Sequence, residues 1–157
     1  MLSDLVSGDM FSLFFVFARI GAAIMLMPGF GEVFVNARTR LLLALAITLV
    51  VTPMVADLVP ANPDGPLETL VILGRETVVG LFLGSLARAM VAALHMGGVI
   101  IGFQTSLSNA QMFDPLNASQ GSLIGSFFNV LGVFLIFAAD LHHLLLMALL
   151  DSYVTFV

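Results

Sequence analysis

Five long apolar segments make up most of this chain, and their lengths restrict the folds that it can adopt. They cover residues 10–27, 41–56, 67–101, 123–139 and 141–157. An α-helix needs about 20 apolar residues to cross roughly 30 Å of hydrocarbon, and none of the five has this length. Four are slightly short, and the third would form a helix of about 52 Å. The pattern predicts an all-α, membrane-associated fold of short apolar helices with polar interruptions.

The composition agrees with a membrane location and excludes several functions. Hydrophobic residues make up 60% of the chain and charged residues 10%, whereas soluble proteins average about 45 to 50% and 25%. We expect residues 1–157 to form one helical membrane domain. The five arginines, with no lysine, and the net charge of −5 provide no basic stripe, which argues against nucleic acid as a partner. The absence of cysteine excludes disulfides and thiolate metal sites.

Three arginines lie in the apolar segments: Arg19 in the first, and Arg75 and Arg88 in the third. A charge at the centre of a lipid-facing helix costs about 2.5 to 3.5 kcal/mol, so we expect two of them, Arg19 and Arg88, to be buried and paired with carboxylates or helix-end carbonyls. Glu76 is a candidate partner. Two arrangements remain open: helices buried largely against other subunits, or an ordinary polytopic protein with slightly short spans and internally paired charges.

Pairs of glycines recur at a spacing of four residues, which lets apolar helices approach closely. The pairs are Gly80 with Gly84, Gly98 with Gly102, and Gly121 with Gly125. The last two pairs lie at the ends of the longest polar stretch, so we expect the helices that enter and leave this stretch to pack tightly. The alternative is that glycine is simply common in membrane helices.

That polar stretch is GFQTSLSNAQMFDPLNASQG, residues 102–121, and Asp114 is its only charge. Loops longer than about 12 to 15 residues are usually functional or disordered. Asp114 followed by Pro115 favours a turn in its second half. The stretch is therefore either a functional loop or a solvent-exposed connector.

Two other connections differ in charge and predict the topology. Residues 28–40 contain Arg38 and Arg40, whereas residues 57–66 contain two acids, three prolines and no base. By the positive-inside rule the arginine-bearing turn lies in the cytoplasm, and the acidic connection and the N-terminus lie outside. The first ten residues carry acids where a secretory signal carries bases, so we expect the first apolar segment to be retained.

The remaining polar residues indicate no enzyme. Asp140, His142 and His143 form the run DLHH, but adjacent helical residues point about 100° apart, so we interpret the histidines as packed or capping side chains rather than metal ligands. No nucleophile–base pair, phosphate-binding glycine loop or catalytic carboxylate dyad occurs. We expect no cofactor and no metal.

Several motifs, taken together, resemble the FliR family of bacterial flagellar biosynthesis proteins and cover nearly all of the chain. One set comprises an Arg-Ile-Gly helix, a Pro and Phe-Gly turn and an Arg-x-Arg helix start: Arg19, Ile20, Gly21, Pro28, Phe30, Gly31, Arg38 and Arg40. A second is a Glu followed by spaced glycines: Glu76, Gly80 and Gly84. The third is a polar run: Gly102, Gln104, Leu107, Ser108, Ala110, Asp114 and Pro115.

The resemblance implies a membrane subunit of the flagellar type III protein export gate, in the inner membrane at the flagellar basal body. Family members assemble, as helical hairpins, with FliP-like and FliQ-like subunits and an FlhB-like switch protein into a multi-subunit helical gate for unfolded flagellar substrates. Virulence type III secretion systems contain relatives with the same role, and the overall resemblance favours the flagellar system. Membrane lipid is the other expected contact.

The resemblance also implies that residues 102–121 form a plug in the closed pore. A plug must block ions and yet yield to any polypeptide, which suits uncharged polar side chains and a few apolar ones that favour dewetting. The expected plug residues are Gln104, Leu107, Ser108, Asn109, Met112, Phe113, Asp114 and Pro115.

Three departures from the family are visible. Asn109 and Gln111 occupy positions that are often aromatic, and Asn36 stands where relatives often have proline. Relatives also continue past residue 157 with a further hairpin and tail, so the chain is expected to be the N-terminal portion of a longer protein. The alternatives from other classes are a small-solute or ion transporter, which would use Arg19, Glu76 and Arg88 as interior charges, and a structural membrane scaffold.

Overall fold

The computed structural model of this chain describes residues 2–32, 34–59, 65–105 and 122–156. Within these ranges the chain forms helices and turns and contains no strand, so the predicted all-α fold is confirmed. The helices are α1 (Leu2–Leu26), α2 (Ala37–Val55) followed by a 3₁₀ turn (Ala56–Leu58), α3 (Pro66–Gln104), α4 (Leu123–Ala138) and α5 (Leu141–Thr155). Assembly with other subunits stays a prediction.

Two of these helices, α2 and α3, are long and apolar enough to cross a membrane, and α4 and α5 pass the same test only when taken together as one interrupted span. The apolar part of α1, Met10–Leu26, is shorter. The third predicted segment proves to be one continuous helix of 39 residues, about 58 Å long. It exceeds the roughly 30 Å hydrocarbon core of a bilayer.

A tight turn joins α1 to α2 and makes them a helical hairpin. Gly29 has φ 86°, a left-handed conformation that glycine adopts without strain, and a Cβ at Gly31 would overlap the backbone of Met25. Asn36 caps α2, because its side chain accepts a hydrogen bond from the Arg38 amide at 3.0 Å. Gly29, Gly31 and Asn36 thus define the backbone geometry in the described part of this turn.

The described chain groups into two compact units, one of residues 1–87 with 143–157 and one of residues 88–142. The first unit has a core of apolar side chains from four helices. Its members are Phe15, Val16, Ile20, Ala23 and Ile24 of α1, Ala44, Val51 and Val55 of α2, Ile72 of α3, and Leu149 and Tyr153 of α5, with Val59 beside them. In the second unit, the last part of α3 packs against α4.

Candidate functional site

A buried ion pair lies inside the first unit. Arg19 and Glu76 are each 1% exposed, and they are the buried charged residues among the described side chains. The Arg19 Nε donates to Glu76 Oε2 at 2.6 Å, and its Nη2 donates to Oε1 at 2.9 Å. This two-point geometry joins the middle of α1 to α3. It is the pairing that the sequence suggested for Arg19.

Helix α5 completes the surroundings of the guanidinium. Arg19 Nη1 donates to Ser152 Oγ at 3.0 Å, and the Ser152 hydroxyl donates in turn to Leu149 O at 2.6 Å. Nη2 also donates to Phe156 O at 3.3 Å. The ring of Tyr153 lies under the guanidinium, with its centroid 4.0 Å from Cζ, which adds a cation–π contact. The charge on α1 is therefore satisfied by two other helices, α3 and α5, and by the residue that follows α5.

The sequence reasoning missed Ser152 and Tyr153. They lie 133 and 134 residues from Arg19, and a serine in an apolar segment gives no distinctive signal. The one feature of the sequence that could have drawn attention to this position is that Tyr153 is the chain's single tyrosine. A tyrosine with one apolar face and one polar end is well suited to line a buried charge.

Close packing of α3 on α1 makes the ion pair possible. A Cβ at Gly80 would overlap Arg19 O, and a Cβ at Gly84 would lie 2.7 Å from Ala23 O. Glu76 precedes Gly80 by four residues, so the two share one face of α3. Gly80 and Gly84 thus bring the backbones together at the level where Glu76 reaches Arg19, as expected for small residues at this spacing.

Arg88 differs from Arg19. It is exposed on α3, and no carboxylate among the described residues forms an ion pair with it. The described residues therefore do not provide the burial expected for Arg88. Its burial against another subunit stays a prediction.

Small residues also bring α3 and α4 together in the second unit. A Cβ at Gly98 would lie 2.8 Å from the Cα of Gly125, so these glycines of two different predicted pairs face each other. Gly102 is buried. Gly132, which the sequence analysis did not select, packs against Leu94, since a Cβ there would lie 2.9 Å from Cδ1.

The first residues of the predicted plug are helical, whereas the sequence analysis placed them in a loop. Residues 102–104 belong to α3, and Gln104 is the last residue of that helix. Thr105 continues the helical hydrogen bonding, with its amide and its hydroxyl both donating to Ile101 O. The other plug residues lie outside the described residues, and so does Gly121. These are Leu107, Ser108, Asn109, Met112, Phe113, Asp114 and Pro115.

The structure of the run DLHH differs from the expectation that its side chains point too far apart to hold one metal ion. Asp140 has φ 56° and separates α4 from α5, so it lies outside regular helix, whereas both histidines belong to α5. One ligand atom from each of Asp140, His142 and His143 lies within 4.8 Å of the others, closer than the spacing of helical residues implied. The three side chains could hold a metal ion. The ring of His142 stacks on Phe137 with centroids 5.0 Å apart.

The helices and their contacts define a class of protein: a helical membrane protein whose helices are joined by close small-residue packing and a buried ion pair. Residues 10–157 match the family model of bacterial export proteins, family 1. The chain therefore belongs to this family, the FliR family to which the sequence motifs pointed.

Curated relatives agree with this assignment. The chain is 40% identical over 143 residues to the flagellar biosynthetic protein FliR of Caulobacter vibrioides, covering 90% of this chain and 56% of the relative. The Bacillus subtilis FliR is 32% identical, with coverage of 88% and 53%. The Escherichia coli FliR is 29% identical, with coverage of 90% and 54%. The chain spans about half the length of the curated relatives that it matches.

Proposed function

We propose that this chain is a subunit of the flagellar protein export gate in the bacterial inner membrane. The observation that carries the proposal is the family match over residues 10–157, with relatives named as flagellar biosynthetic proteins. Its partners in this proposal are FliP-like and FliQ-like subunits, an FlhB-like switch protein and unfolded flagellar substrates. It acts by forming part of a gated pore, not by catalysing a reaction.

The exposed surface of α3 supports assembly with other helices. This helix is about 58 Å long, so a membrane cannot cover all of it. Large apolar side chains are nevertheless exposed along its whole length. They include Leu67, Leu70, Val78, Phe82, Leu86, Met90, Met96, Ile100 and Phe103. Apolar side chains beyond the bilayer need protein neighbours, because an exposed contiguous apolar surface is unfavourable in water.

The contact between Gly98 and Gly125 supports the proposed plug. These residues lie near the end of α3 and the start of α4, on either side of residues 102–121. The Ser122 hydroxyl caps α4 by accepting from the Gly125 amide at 3.2 Å. The end of α3 and the start of α4, which flank the stretch, therefore lie close together, as a loop that projects from one fixed place requires.

The ion pair fits a structural role in this proposal. The Glu76 carboxylate and the Arg19 guanidinium satisfy each other inside the first unit. A transporter that used these charges would need at least one of them open to water or to solute. We therefore assign Arg19 and Glu76 to helix packing rather than to contact with substrate.

Co-purification combined with complementation tests the proposal. The full-length protein that contains this chain is tagged and expressed in a flagellated strain that lacks its own FliR. We expect the tagged protein to restore swimming and to co-purify with the FliP-like and FliQ-like subunits. If the strain instead gained uptake of a solute and did not swim, or if the protein purified without these subunits, the transporter alternative would be supported.

A further inference from the structure

An apolar groove lies between α1, α2 and α3 in the first unit. Its volume is about 360 Å³, within the roughly 300 to 1,000 Å³ of typical ligand pockets. Phe17 and Met25 line it on α1, Leu41 on α2 and Leu81 on α3. Phe17 and Met25 are eight residues apart, so the groove follows α1 for about 12 Å. Its lining is mainly apolar over this length.

One cation stands at the beginning of this groove. Arg40 lines it in the first turn of α2. Its Nη2 donates to Val35 O at 3.0 Å and to Glu32 O at 3.3 Å, but its Nε is buried without a hydrogen-bond partner. No carboxylate in the described parts of the chain pairs with Arg40. The groove therefore combines an apolar wall with an unneutralised cation and a buried donor that lacks an acceptor.

We propose that this groove binds one acyl chain of an anionic phospholipid, with the lipid phosphate accepting a hydrogen bond from Arg40. The chemistry of the two parts matches: the acyl chain covers the apolar wall, and the anionic phosphate neutralises the Arg40 guanidinium, with which no described carboxylate pairs. The expected depth of Arg40 in the membrane also agrees with this proposal. Arg40 lies where the apolar span of α2 begins, which is the level at which basic side chains meet anionic headgroups. The inference depends on a membrane location and not on the export role.

A single glycine allows the groove to be filled. Gly21 lines it on α1, and a Cβ at this position would meet only the Cζ of Phe17, at 3.9 Å. The backbone therefore has room for a Cβ at Gly21, and the longer side chain of Gly21→Leu is expected to extend into the groove and take space from the acyl chain. Gly74 provides the matched control, because it is exposed on α3 with nothing within 4 Å of its Cβ position. Arg88 provides the matched control for charge, since it is exposed on the same protein.

Native mass spectrometry of the purified full-length protein measures the lipid it retains from micelles doped with phosphatidylglycerol or phosphatidylcholine. We expect one retained phosphatidylglycerol. Arg40→Gln should lower this retention by about tenfold or more, the effect of losing a charge-assisted hydrogen bond. Gly21→Leu should lower the retention of both lipids. Arg88→Gln and Gly74→Leu should change neither.

Two results would overturn the inference. Equal retention of the two lipids, unaffected by Arg40→Gln, would remove the role of the cation. Unchanged lipid retention in Gly21→Leu, together with weaker co-purification of other membrane subunits, would make the groove a protein interface. Because retention is measured on the purified protein alone, a failure of the export proposal leaves this result unaffected.

Discussion

At the scale of single residues, the ion pair of Arg19 with Glu76 shows why a charge can occupy an apolar helix. Removing two ions from water is costly, and their attraction offsets that cost only with good geometry and further hydrogen bonds. Both conditions hold, because Glu76 binds the guanidinium at two points and Ser152 and Phe156 O accept the next donors. Such a pair contributes little net stability but fixes which faces of α1, α3 and α5 meet.

This reasoning predicts opposite results for breaking the pair and for replacing it. Glu76→Gln leaves the buried guanidinium uncompensated and should lower the free energy of unfolding by about 3 to 5 kcal/mol. Replacing both residues with Met should cost much less, since buried ion pairs can often be exchanged for apolar side chains. Unfolding of the purified protein in mixed micelles, followed by circular dichroism, measures both. Arg88→Met is the control, with an expected effect near zero because Arg88 is exposed.

An equal loss in the single and the double variant would contradict this account, because it would show that leaving the guanidinium uncompensated has no cost of its own. A loss in Arg88→Met as large as that in Glu76→Gln would also contradict it, because an exposed arginine would then matter as much as the buried pair. Neither result would affect the assignment to the family, which depends on the sequence of residues 10–157.

The same residues show what a sequence can and cannot predict about a buried site. Arg19 and Glu76 were predictable, because charges in apolar segments must find partners and few are available. Ser152 and Tyr153 were not, because contacts across 133 residues depend on how the helices pack, and even the single tyrosine did not indicate which charge it would contact. Arg88 looks like Arg19 in the sequence but is exposed in the chain. The periodicity of the sequence alone did not distinguish the buried arginine from the exposed one.

At the scale of helices, the boundaries were largely predictable because polar residues, glycine and proline punctuate the apolar segments. The sequence predicted helices at 123–139 and 141–157, and α4 and α5 occupy Leu123–Ala138 and Leu141–Thr155. The start of α2 was missed by four residues, because capping by Asn36 extends the helix to Ala37. The continuity of α3 was not predictable, since 35 apolar residues fit one long helix as well as an interrupted one.

The close approach of α3 to α1 gives a prediction that distinguishes glycines by position. Gly80→Ala places a Cβ against Arg19 O, so the helices must separate, and we expect a loss of about 1 to 3 kcal/mol, as for an overpacked core. Gly74→Ala meets no atom within 4 Å and should be neutral or stabilising by up to about 1 kcal/mol through helix propensity. Unfolding midpoints of the two variants, compared in one detergent, measure this difference.

The comparison has a clear negative outcome. If Gly80→Ala and Gly74→Ala gave the same midpoint, the glycines of α3 would affect only helix propensity, and the packing account of Gly80 would be wrong. Gly84→Ala adds a second position with a close contact, at 2.7 Å from Ala23 O, and should behave like Gly80→Ala.

At the scale of the whole molecule, the predicted topology can be tested with single cysteines, because residues 1–157 contain none of their own. Thr39→Cys lies exposed in the first turn of α2, and Gly65→Cys precedes α3 with nothing within 4 Å of its Cβ position. A membrane-impermeant maleimide applied to spheroplasts should label Gly65→Cys at once and Thr39→Cys only after permeabilisation. Labelling of both from the same side would show that α2 does not span the membrane.

The plug proposal also belongs to this scale, because it concerns the closed pore of an assembled gate. A pore wide enough for an extended polypeptide is wider than a hydrated ion, so uncharged chain must fill it between substrates. Residues 102–121 contain a single charge, and the contact of Gly98 with Gly125 holds α3 and α4 together independently of the loop. Shortening the loop should therefore open the resting gate without dismantling it.

Deleting residues 106–112 in the full-length protein should preserve co-purification with the other gate subunits and let small ions leak through the resting pore. Met112→Ser with Phe113→Ser should leak less, because it removes the apolar contacts that favour dewetting and keeps the chain in place. Phe34→Ser with Met54→Ser is the control, since both side chains are exposed elsewhere. Ion conductance in vesicles that contain the assembled gate measures all three. A deletion that stays ion-tight while export continues would show that residues 102–121 are only a connector.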